Sequence, residues 1–420
     1  MVERPRGDGT AVLPVTHGSR GTLESREVDG VESESRVRQV QRRLEEEELD
    51  AVVLRLAENV LLVSGYYLQV GGPALAFVPR EGEMTLLLPD YEEPEARHLG
   101  IAVDTFPAIR LDGPPTASEI ERHLRRLAAQ AGATGGRIGF EGAFEAVAPP
   151  TLAGEPNAVA SPTLELIKRT FESREVVDFT AALEDIRSIK TEHDIERLTV
   201  VNEIAMIGLD VFKRHARPGI TEVALAAEVE AAVLRDGTGH RGARVVRAWA
   251  TVLSGPATAQ GWQYFRSGKR LIEKDDVVMI EMGTVADGYW CDHTRTVVAG
   301  KAGQDQRRAF AAAMGALEAS FAAATPGATG DAVDRTAREA CRAAGFEQFL
   351  HHTGHGTGFR YHESRPAILP GSDVELSAGM VIACEPGVYE EGIGGFRWED
   401  DALVTDAGAK PLATSEYELD

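Results

Sequence analysis

The chain has 420 residues, 43% of them hydrophobic, and its 66 acidic and 44 basic residues give a formal net charge of −22. This length exceeds one typical domain and the hydrophobic content suffices for buried cores, so we expect two folded domains and no disordered polymer. The acidic balance argues against general nucleic-acid binding, which depends on a basic surface that meets phosphates.

The first part of the chain predicts an arm followed by a small α/β domain. Residues 1–34 lack hydrophobic periodicity and are rich in Gly, Ser, Arg and Glu, which predicts a flexible N-terminal arm. Residues 35–180 alternate helical stretches, such as residues 118–132, with short apolar runs such as residues 137–142. This alternation predicts an α/β domain over residues 35–180.

Residues 181–420 have a different pattern, in which helical stretches come first and strands and loops follow. Apolar residues at helical spacing fill two long stretches that are separated by Pro218-Gly219, and Thr221 is well placed to cap the second. After Gly237 the pattern changes to strands and loops, interrupted by a helical run over residues 306–324. We therefore predict a second domain over residues 181–420 that opens with helices.

Four carboxylates in this second domain lie within or beside apolar strands. A hairpin around the Gly288-Tyr289 turn would bring Glu281 and Asp292 to one site. Glu385 and Glu399 also interrupt apolar segments, where an ionised carboxylate is costly unless it is paired or bound to metal. Buried acids of this kind need partners.

The segment "HHTGHGTGFRYH" over residues 351–362 contains four of the chain's 11 histidines. Four carboxylates and one imidazole would neutralise two divalent cations, and oxygen ligands with a single imidazole favour Mn, Co, Fe or Zn over a thiolate zinc site. Two metals about 3.5–4 Å apart can hold a bridging hydroxide and polarise a carbonyl group. The glycines do not indicate a phosphate loop, because no Gly-Lys-Ser/Thr follows.

Seven short motifs stand in an order that resembles a known family. They are "IRSIKTEHDIERL", "SGP", "GYWCDHTRT", "HTGHGTG", "HESRP", "CEPGVY" and "RWEDDALVT". The sequence resembles the creatinase/prolidase/methionine aminopeptidase family, in particular its Xaa-Pro aminopeptidase and prolidase branch, over residues 36–420 and most strongly from residue 186. The resemblance implies an α+β fold in which a C-terminal pita-bread domain follows a smaller creatinase-like α/β domain.

The resemblance also implies roles for individual residues. The metal ligands that it implies are Glu281, Asp292, His355, Glu385 and Glu399. The catalytic residues that it implies are His351, His362 and Glu385, the last as general base, and Arg397 matches an arginine that lies beside the metal ligands. We predict that Arg397 and Trp262, which stands where the family has a histidine, bind substrate. His352 receives no role. The expected cofactor is a pair of divalent ions, manganese first and cobalt, iron or zinc as alternatives, and the expected assembly is a homodimer.

Two positions depart from the pattern of the family. The first metal ligand of the family is normally Asp, whereas here it is Glu281, one methylene longer. After the "SGP" turn the peptidases have a Pro-His pair, and this chain has Gly261-Trp262. With Tyr264, Phe265, Phe359 and Tyr361, this tryptophan predicts an aromatic wall that suits a proline ring or, through cation–π attraction, an onium group.

The first functional hypothesis is a metal-dependent hydrolase that cleaves a small peptide or amide bond through a metal-bridging hydroxide. The second keeps the fold but changes the reaction to that of a creatinase, an ectoine hydrolase or a dimethylsulfoniopropionate lyase, because fold does not fix function. A third treats the domain as a non-catalytic binding protein. Metal analysis and a substrate panel discriminate among the three.

Cysteine usage and hydropathy predict the compartment. Cys291, Cys341 and Cys384 are widely spaced and form no C-x-x-C pattern, so neither a disulfide framework nor a zinc knuckle is expected. Residues 1–21 lack the apolar core of a secretory signal, and no later run approaches the ~20 apolar residues of a membrane span. We expect a cytoplasmic protein without a membrane or nucleic-acid partner.

Overall fold

A computed structural model describes residues 24–69, 72–108, 113–142, 159–261, 266–347, 349–413 and 418–420, with side chains from Ser35 onward. Among these residues, no helix combines the length and the apolar character that crossing a bilayer requires. Trp262, predicted to bind substrate, lies outside the described residues, as do Tyr264 and Phe265.

The first domain is built on one mixed sheet. Its described helices are α1 (Glu24–Glu46), α2 (Ala57–Ser64), α3 (Glu93–Ala96), α4 (Thr116–Gln130), α5 (Ser161–Phe171) and α6 (Thr180–Ser188). Its described strands are β1 (Ala51–Leu54), β2 (Leu75–Pro79), β3 (Thr85–Pro89), β4 (Ala102–Phe106), β5 (Arg137–Phe140) and β6 (Glu175–Asp178). They pair in the order β4-β3-β2-β1-β5-β6, with β1 antiparallel to β2 and parallel to β5.

Helices cover both faces of this sheet. Every residue of β1 is buried, and its side chains alternate between two cores because successive residues of a strand point to opposite faces. Ala51 and Val53 pack into a cluster with Leu124 of α4, whereas Val52 and Leu54 pack into a cluster with Leu44 of α1. The predicted α/β character of the first domain is therefore confirmed.

The first helix is longer than the sequence interpretation expects. It begins at Glu24, so residues 24–34 are helical although they fall within the predicted arm. Their composition shows no apolar periodicity, but extending an existing helix adds a hydrogen bond for each residue fixed and needs no new nucleus. Residues 1–23 lie outside the described part of the chain.

The second domain combines paired helices with three sheets. Its described helices are α7 (Glu192–His215), α8 (Glu222–Gly237), α9 (Gln304–Ala323) and α10 (Gly330–Ala343). Its described strands are β7 (Val246–Ser254), β8 (Val277–Ala286), β9 (Tyr289–Val298), β10 (Gly354–Gly356), β11 (Glu363–Ile368), β12 (Val381–Cys384), β13 (Gly387–Glu390), β14 (Gly394–Arg397), β15 (Asp400–Thr405) and β16 (Gly408–Pro411). The sheet orders are β7-β8-β9, β11-β10-β12-β15-β16 and β13-β14.

The starts of α7 and α8 follow from local side-chain chemistry. Thr191 and Asp194 form a reciprocal capping box at the start of α7. Thr221 caps α8 by accepting a hydrogen bond from the amide of Ala224 at 3.3 Å, as the sequence predicts. The break between the two helices contains Pro218-Gly219, which confirms that prediction too.

A single buried cluster joins the two domains. It contains Leu44 of α1 and Val60 of α2 together with Leu198 of α7, Val233 of α8 and Ile280 of β8. Since apolar burial stabilises in proportion to the area removed from water, this shared core holds the first domain against the second. The β7-β8-β9 sheet therefore has a fixed surface on which to present a site.

Candidate metal centre

The hairpin of β8 and β9 places the first two predicted ligands side by side. Its turn uses Asp287 at φ 50° and Gly288 at φ 86°, in the left-handed region that glycine adopts readily. The register puts Gly283 opposite Asp292 and Glu281 opposite Thr294. Side chains two positions apart share a face, so Glu281 and Asp292 project together, as the hairpin hypothesis predicts.

The other three predicted ligands come from the neighbouring sheet. His355 lies on β10, Glu385 directly follows β12 and Glu399 directly precedes β15. The Nε2 atom of His355 is 3.6 Å from Asp292 Oδ2, 3.9 Å from Glu385 Oε1 and 4.0 Å from Glu399 Oε1. Ligand atoms of Glu281, Asp292 and Glu399 also lie within 4.8 Å of one another. The structure thus brings all five predicted ligands together.

The hydrogen bonds of His355 test whether this cluster suits a cation. Its Nδ1 lies 2.9 Å from the carbonyl oxygen of Gly356, so Nδ1 carries the proton and Nε2 presents a lone pair. Burial, and then the neighbouring His362, lowers the pKa of His355, which keeps the ring neutral. Neither His355 Nε2 nor Glu399 Oε1, both buried, has a hydrogen-bond partner among the described residues.

These two atoms are acceptors that face each other across 4.0 Å. Buried polar atoms are almost always satisfied, and a lone pair that faces carboxylates can be satisfied by a cation. Metal–ligand bonds to imidazole nitrogen and carboxylate oxygen are about 2.0–2.2 Å long, so one ion can reach both atoms. The residues therefore fit a divalent cation.

Burial and neighbouring charges shift the pKa values of the carboxylates in opposite directions. Burial, and then the charge of Glu281, raises the pKa of Asp292 to about 7. Burial and the charge of Asp292 raise the pKa of Glu399 well above its usual value. For Glu385, burial opposes ionisation, but the charges of His352 and Arg397 outweigh it and hold the pKa well below its usual range. Like charges held this close need a counter-charge.

Arg397 supplies part of that counter-charge. The guanidinium group pairs with Glu281 through Nη2, and its Nη1 lies 3.6 Å from Glu385 Oε2. Nε donates to the hydroxyl of Thr294 at 3.0 Å, and Nη1 donates to the hydroxyl of Tyr389 at 3.3 Å. Arg397, predicted to bind substrate, is buried and contacts two predicted metal ligands directly.

The histidines of the glycine-rich segment converge on the same site. His362 Nε2 lies 3.1 Å from Asp292 Oδ2. Both nitrogens of His351 are engaged, Nδ1 with the carbonyl oxygen of His352 at 2.7 Å and Nε2 with the hydroxyl of Tyr389 at 3.0 Å. Because Nδ1 donates to a carbonyl group, Nε2 accepts the proton of Tyr389.

Four further residues contact predicted site residues, and the sequence predicted none of these contacts. His352 Nε2 lies 2.7 Å from Glu385 Oε1, which makes His352 a direct neighbour of a predicted ligand. The hydroxyl of Thr294 lies 2.7 Å from Glu281 Oε2 and 2.8 Å from Glu399 Oε2. The remaining two are Tyr361 and Tyr389. The sequence signal for Thr294, His352 and Tyr389 was a position within a motif, and for Tyr361 it was a position directly before His362.

Tyr361 reaches the hairpin ligands directly. Its hydroxyl lies 3.0 Å from both Glu281 Oε1 and Asp292 Oδ1. The ring approaches β8 closely at Gly283, where an added Cβ atom would stand 2.7 Å from its Cε2 atom. Glycine at this position is therefore required for the tyrosine to reach the carboxylates.

Residues that alternate with the ligands on β9 belong to a separate buried network. Cys291, His293 and Asp401 offer atoms within 4.8 Å of one another. His293 Nε2 lies 2.9 Å from Asn202 Oδ1, and its Nδ1 lies 3.2 Å from Asp400 Oδ1, so both ring nitrogens already have partners. This group has no free imidazole lone pair and is a structural network. Cys291, like Cys341 and Cys384, is a free buried thiol.

The segment that carries His362 is fixed by ion pairs on both sides. Arg360 Nε lies 3.5 Å from Glu58 Oε1, and Glu58 belongs to α2 of the first domain. Glu363 pairs with the buried Lys190 at 2.6 Å. Both domains thus contribute to the position of this segment.

Comparison with known proteins gives two family matches. Residues 196–406 match the family described as metallopeptidase family M24, and residues 36–189 match the creatinase/prolidase N-terminal domain. The chain is 31% identical over 281 residues to an Xaa-Pro dipeptidase of Pyrococcus furiosus, covering 67% of this chain and 78% of that protein. It is 27% identical over 388 residues to a putative dipeptidase of Bacillus subtilis, covering 92% of this chain and 99% of the relative.

A solved structure supports the same relationship. The crystallised prolidase from Pyrococcus furiosus superimposes with a TM-score of 0.72 at 28% identity, over 90% of this chain and 99% of that chain. The likeness extends over both domains, which confirms the fold class expected from the sequence motifs.

Proposed function

Because the chain belongs to metallopeptidase family M24, we propose that it hydrolyses small peptides of the Xaa-Pro type in a divalent-metal-dependent reaction. The observation that carries the proposal is the pair of unsatisfied buried acceptors, His355 Nε2 and Glu399 Oε1, within a cluster of carboxylates. The relative named as an Xaa-Pro dipeptidase makes proline in the second position the expected preference.

We assign metal binding to the cluster formed by Glu281, Asp292, His355, Glu385 and Glu399. A bound divalent ion would polarise the carbonyl group of the scissile bond and lower the pKa of the attacking water. The four acids supply negative charge, and His355 supplies a neutral nitrogen lone pair that its bond to Gly356 fixes in direction. Manganese is our first choice among the divalent metals because oxygen donors predominate.

Glu385 is the proposed general base. The charges of His352 and Arg397 keep this buried carboxylate ionised, which is the state that a base requires. His352, whose Nε2 lies 2.7 Å from Glu385 Oε1, stands where its protonated ring can stabilise the ionised carboxylate of Glu385. The proposal thus gives His352 a role that the sequence alone did not suggest.

His362 and His351 are the proposed substrate contacts. His362 Nε2 faces Asp292 at the edge of the carboxylate cluster, where it can stabilise negative charge that develops on the substrate oxygen. His351 has both nitrogens engaged by His352 and Tyr389. A direct contact between His351 and substrate therefore requires Tyr389 to release Nε2, and otherwise His351 orients Tyr389.

The comparisons do not favour the second hypothesis, in which a relative of creatinase or ectoine hydrolase uses the same fold. The named relatives described above are dipeptidases, and residues 196–406 match metallopeptidase family M24. The substrate panel below includes those small nitrogen and sulfonium compounds nonetheless.

We also propose that the protein is a homodimer and is located in the cytoplasm. Light scattering on the purified chain tests the homodimer.

The deciding experiment combines metal analysis with a substrate panel. The purified chain is treated with a chelator, reloaded with Mn²⁺, Co²⁺, Fe²⁺ or Zn²⁺, and assayed on alanyl-proline, alanyl-alanine, alanyl-prolyl-alanine, ectoine, creatine and dimethylsulfoniopropionate. We expect chelation to abolish hydrolysis of alanyl-proline and metal to restore it. The variant His355→Ala should be inactive, and His98→Ala, at an exposed position, should retain activity. Full activity without metal would disprove the proposed mechanism.

A further inference from the structure

Tyr361 engages the carboxylates that a second cation would need. Its hydroxyl is equidistant, at 3.0 Å, from Glu281 Oε1 and Asp292 Oδ1. A phenol has one proton to donate, so it is shared between two acidic side chains that the hairpin holds together. The hydroxyl therefore stands at the place from which an ion would contact both carboxylates.

The other oxygen of Glu281 is also occupied. Glu281 Oε2 accepts from the hydroxyl of Thr294 at 2.7 Å and pairs with the guanidinium group of Arg397. Both carboxylate oxygens of Glu281 thus lie within hydrogen-bonding distance of protein donors. The contrast with Glu399 is direct, because Glu399 Oε1 has no hydrogen-bond partner among the described residues.

The structure holds Tyr361 firmly in this position. Its ring stacks on the imidazole of His362, with centroids 4.3 Å apart and planes inclined by 18°. The ring of Trp290 also approaches, with centroids 6.0 Å apart, and Gly283 leaves the space that the Tyr361 ring fills. The hydroxyl of Thr357 donates to the carbonyl oxygen of Tyr361 at 3.1 Å. Withdrawing the tyrosine side chain would disturb the packing of its ring against these neighbours.

The two halves of the carboxylate cluster therefore differ in what they lack. On the side of His355 and Glu399, two buried acceptors are unsatisfied and a cation is needed. On the side of Glu281, Tyr361 and Arg397 supply the proton donors and the positive charge that a cation would otherwise supply. Breaking the pairing between Glu281 and Arg397 would leave a charged group without its partner in a buried site, which is costly.

From this asymmetry we propose that the chain binds a single divalent ion, centred on His355, and that Tyr361 excludes a second ion from the side of Glu281 and Asp292. This is one ion fewer than the pair that the family resemblance implies. The inference rests on the metal requirement of the proposed function, but it concerns stoichiometry and not the reaction. Glu281, one methylene longer than aspartate, extends to the tyrosine and the arginine and so contributes to the exclusion.

Metal stoichiometry tests the proposal without any assay of activity. The wild-type chain, Tyr361→Phe and the control Tyr289→Phe are dialysed to equilibrium against Mn²⁺ and analysed by inductively coupled plasma mass spectrometry and by electron paramagnetic resonance. The control also removes a buried hydroxyl that donates to a carboxylate. In this case the Tyr289 hydroxyl donates to Asp194 Oδ1 at 3.0 Å. We expect one Mn²⁺ per chain in the wild type and control, with the spectrum of an isolated ion. Tyr361→Phe should bind two, with an exchange-coupled spectrum.

A second variant keeps the test decisive if Tyr361→Phe does not fold. Glu281→Asp withdraws the carboxylate from Tyr361 and Arg397 and should also raise the stoichiometry from one to two. Two ions in the wild type would overturn the inference, as would loss of all metal from folded Tyr361→Phe, which would make the tyrosine a ligand. One ion in the wild type without peptide hydrolysis would support the inference while refuting the proposed function.

Discussion

Thr294 and Glu399 connect the two sheets of the second domain at the site itself. The amide of Glu399 donates to the carbonyl oxygen of Thr294 at 3.1 Å, and the Thr294 hydroxyl lies 2.8 Å from Glu399 Oε2. The same hydroxyl contacts Glu281 Oε2 and accepts from Arg397. One small side chain therefore fixes the orientation of two predicted ligands that come from different sheets.

Replacing Thr294 by valine should weaken metal binding about ten- to a hundredfold, the usual effect of removing a group that orients a ligand. Valine keeps the shape but leaves Glu281 and Glu399 without this partner. Isothermal titration with Mn²⁺ measures the affinity. Thr199→Val, on a helix where the hydroxyl only bonds the carbonyl oxygen of Ile195, should not change it. Equal affinities for the two variants would contradict the orienting role.

Tyr389→Phe should lower kcat by about ten- to a hundredfold while leaving the fold intact, because positioning errors at a reacting centre are costly. The variant removes the hydroxyl that joins His351 Nε2 to Arg397. Steady-state kinetics on alanyl-proline measures the effect, and Tyr91→Phe in the first domain is the control. If kcat stays at the wild-type value, the link between His351 and Arg397 does not matter for the reaction.

Gly283→Ala should destabilise the protein by about 1–3 kcal/mol, as overpacking of a filled site does. The new methyl group would overlap the Tyr361 ring. Combining it with Tyr361→Ala should remove the overlap, so the double variant should be less destabilised than the sum of the single ones. Urea denaturation measures all three. Gly315→Ala, where nothing lies within 4 Å of the added atom, is the control. Strict additivity would show that the two residues do not clash.

Asp194→Asn should lower the free energy of unfolding at pH 7 by about 3–5 kcal/mol, because it breaks the buried pair with Arg36 at 2.5 Å. Burial alone would raise the pKa of Asp194, but the charge of Arg36 outweighs it and lowers the pKa from 3.8. The stabilisation is therefore complete above the unfolded-state pKa and is lost as the pH falls through the lower folded-state pKa.

Urea denaturation between pH 7 and pH 3 checks this dependence. The difference between wild type and Asp194→Asn should be constant down to about pH 4 and shrink below it. Asp236→Asn, at an exposed position on α8, should leave the free energy of unfolding nearly unchanged. A difference that grows as the pH falls would have the wrong sign for a carboxylate with a lowered pKa.

Metal removal should lower the melting temperature of the wild type. A ligand at 100 times its dissociation constant stabilises the folded state by about 2.7 kcal/mol. Here the cation also relieves repulsion among Asp292, Glu385 and Glu399. Differential scanning calorimetry with and without chelator measures the change. His355→Ala, which lacks the central ligand, should show little response, and an equal response in both proteins would place the stabilising ion elsewhere.

The sequence predicts those parts of the site that depend on local pattern. The hairpin turn and two-residue periodicity bring Glu281 to Asp292, and the resemblance of the ordered motifs singles out His355, Glu385 and Glu399. The sequence does not predict the contacts of Thr294 with Glu399 or of His352 with Glu385. These contacts join residues that are far apart in the sequence and depend on how the sheets pack. Tyr361 was expected only as part of an aromatic wall, and the space beside Gly283 that lets it reach the acids is visible only in three dimensions. The role of Trp262 stays a prediction.

The ion pair between Arg360 and Glu58 has a consequence for dissecting the protein. Arg360 directly precedes Tyr361 and His362, and its partner belongs to the first domain. A fragment that begins at α7 would retain every proposed ligand but leave this arginine and the adjoining apolar face of the shared core bare to water. We therefore expect that the second domain does not function when it is separated from the first. The first domain holds the segment of Arg360 in place, and we expect that a fragment without this domain would not keep His362 aligned.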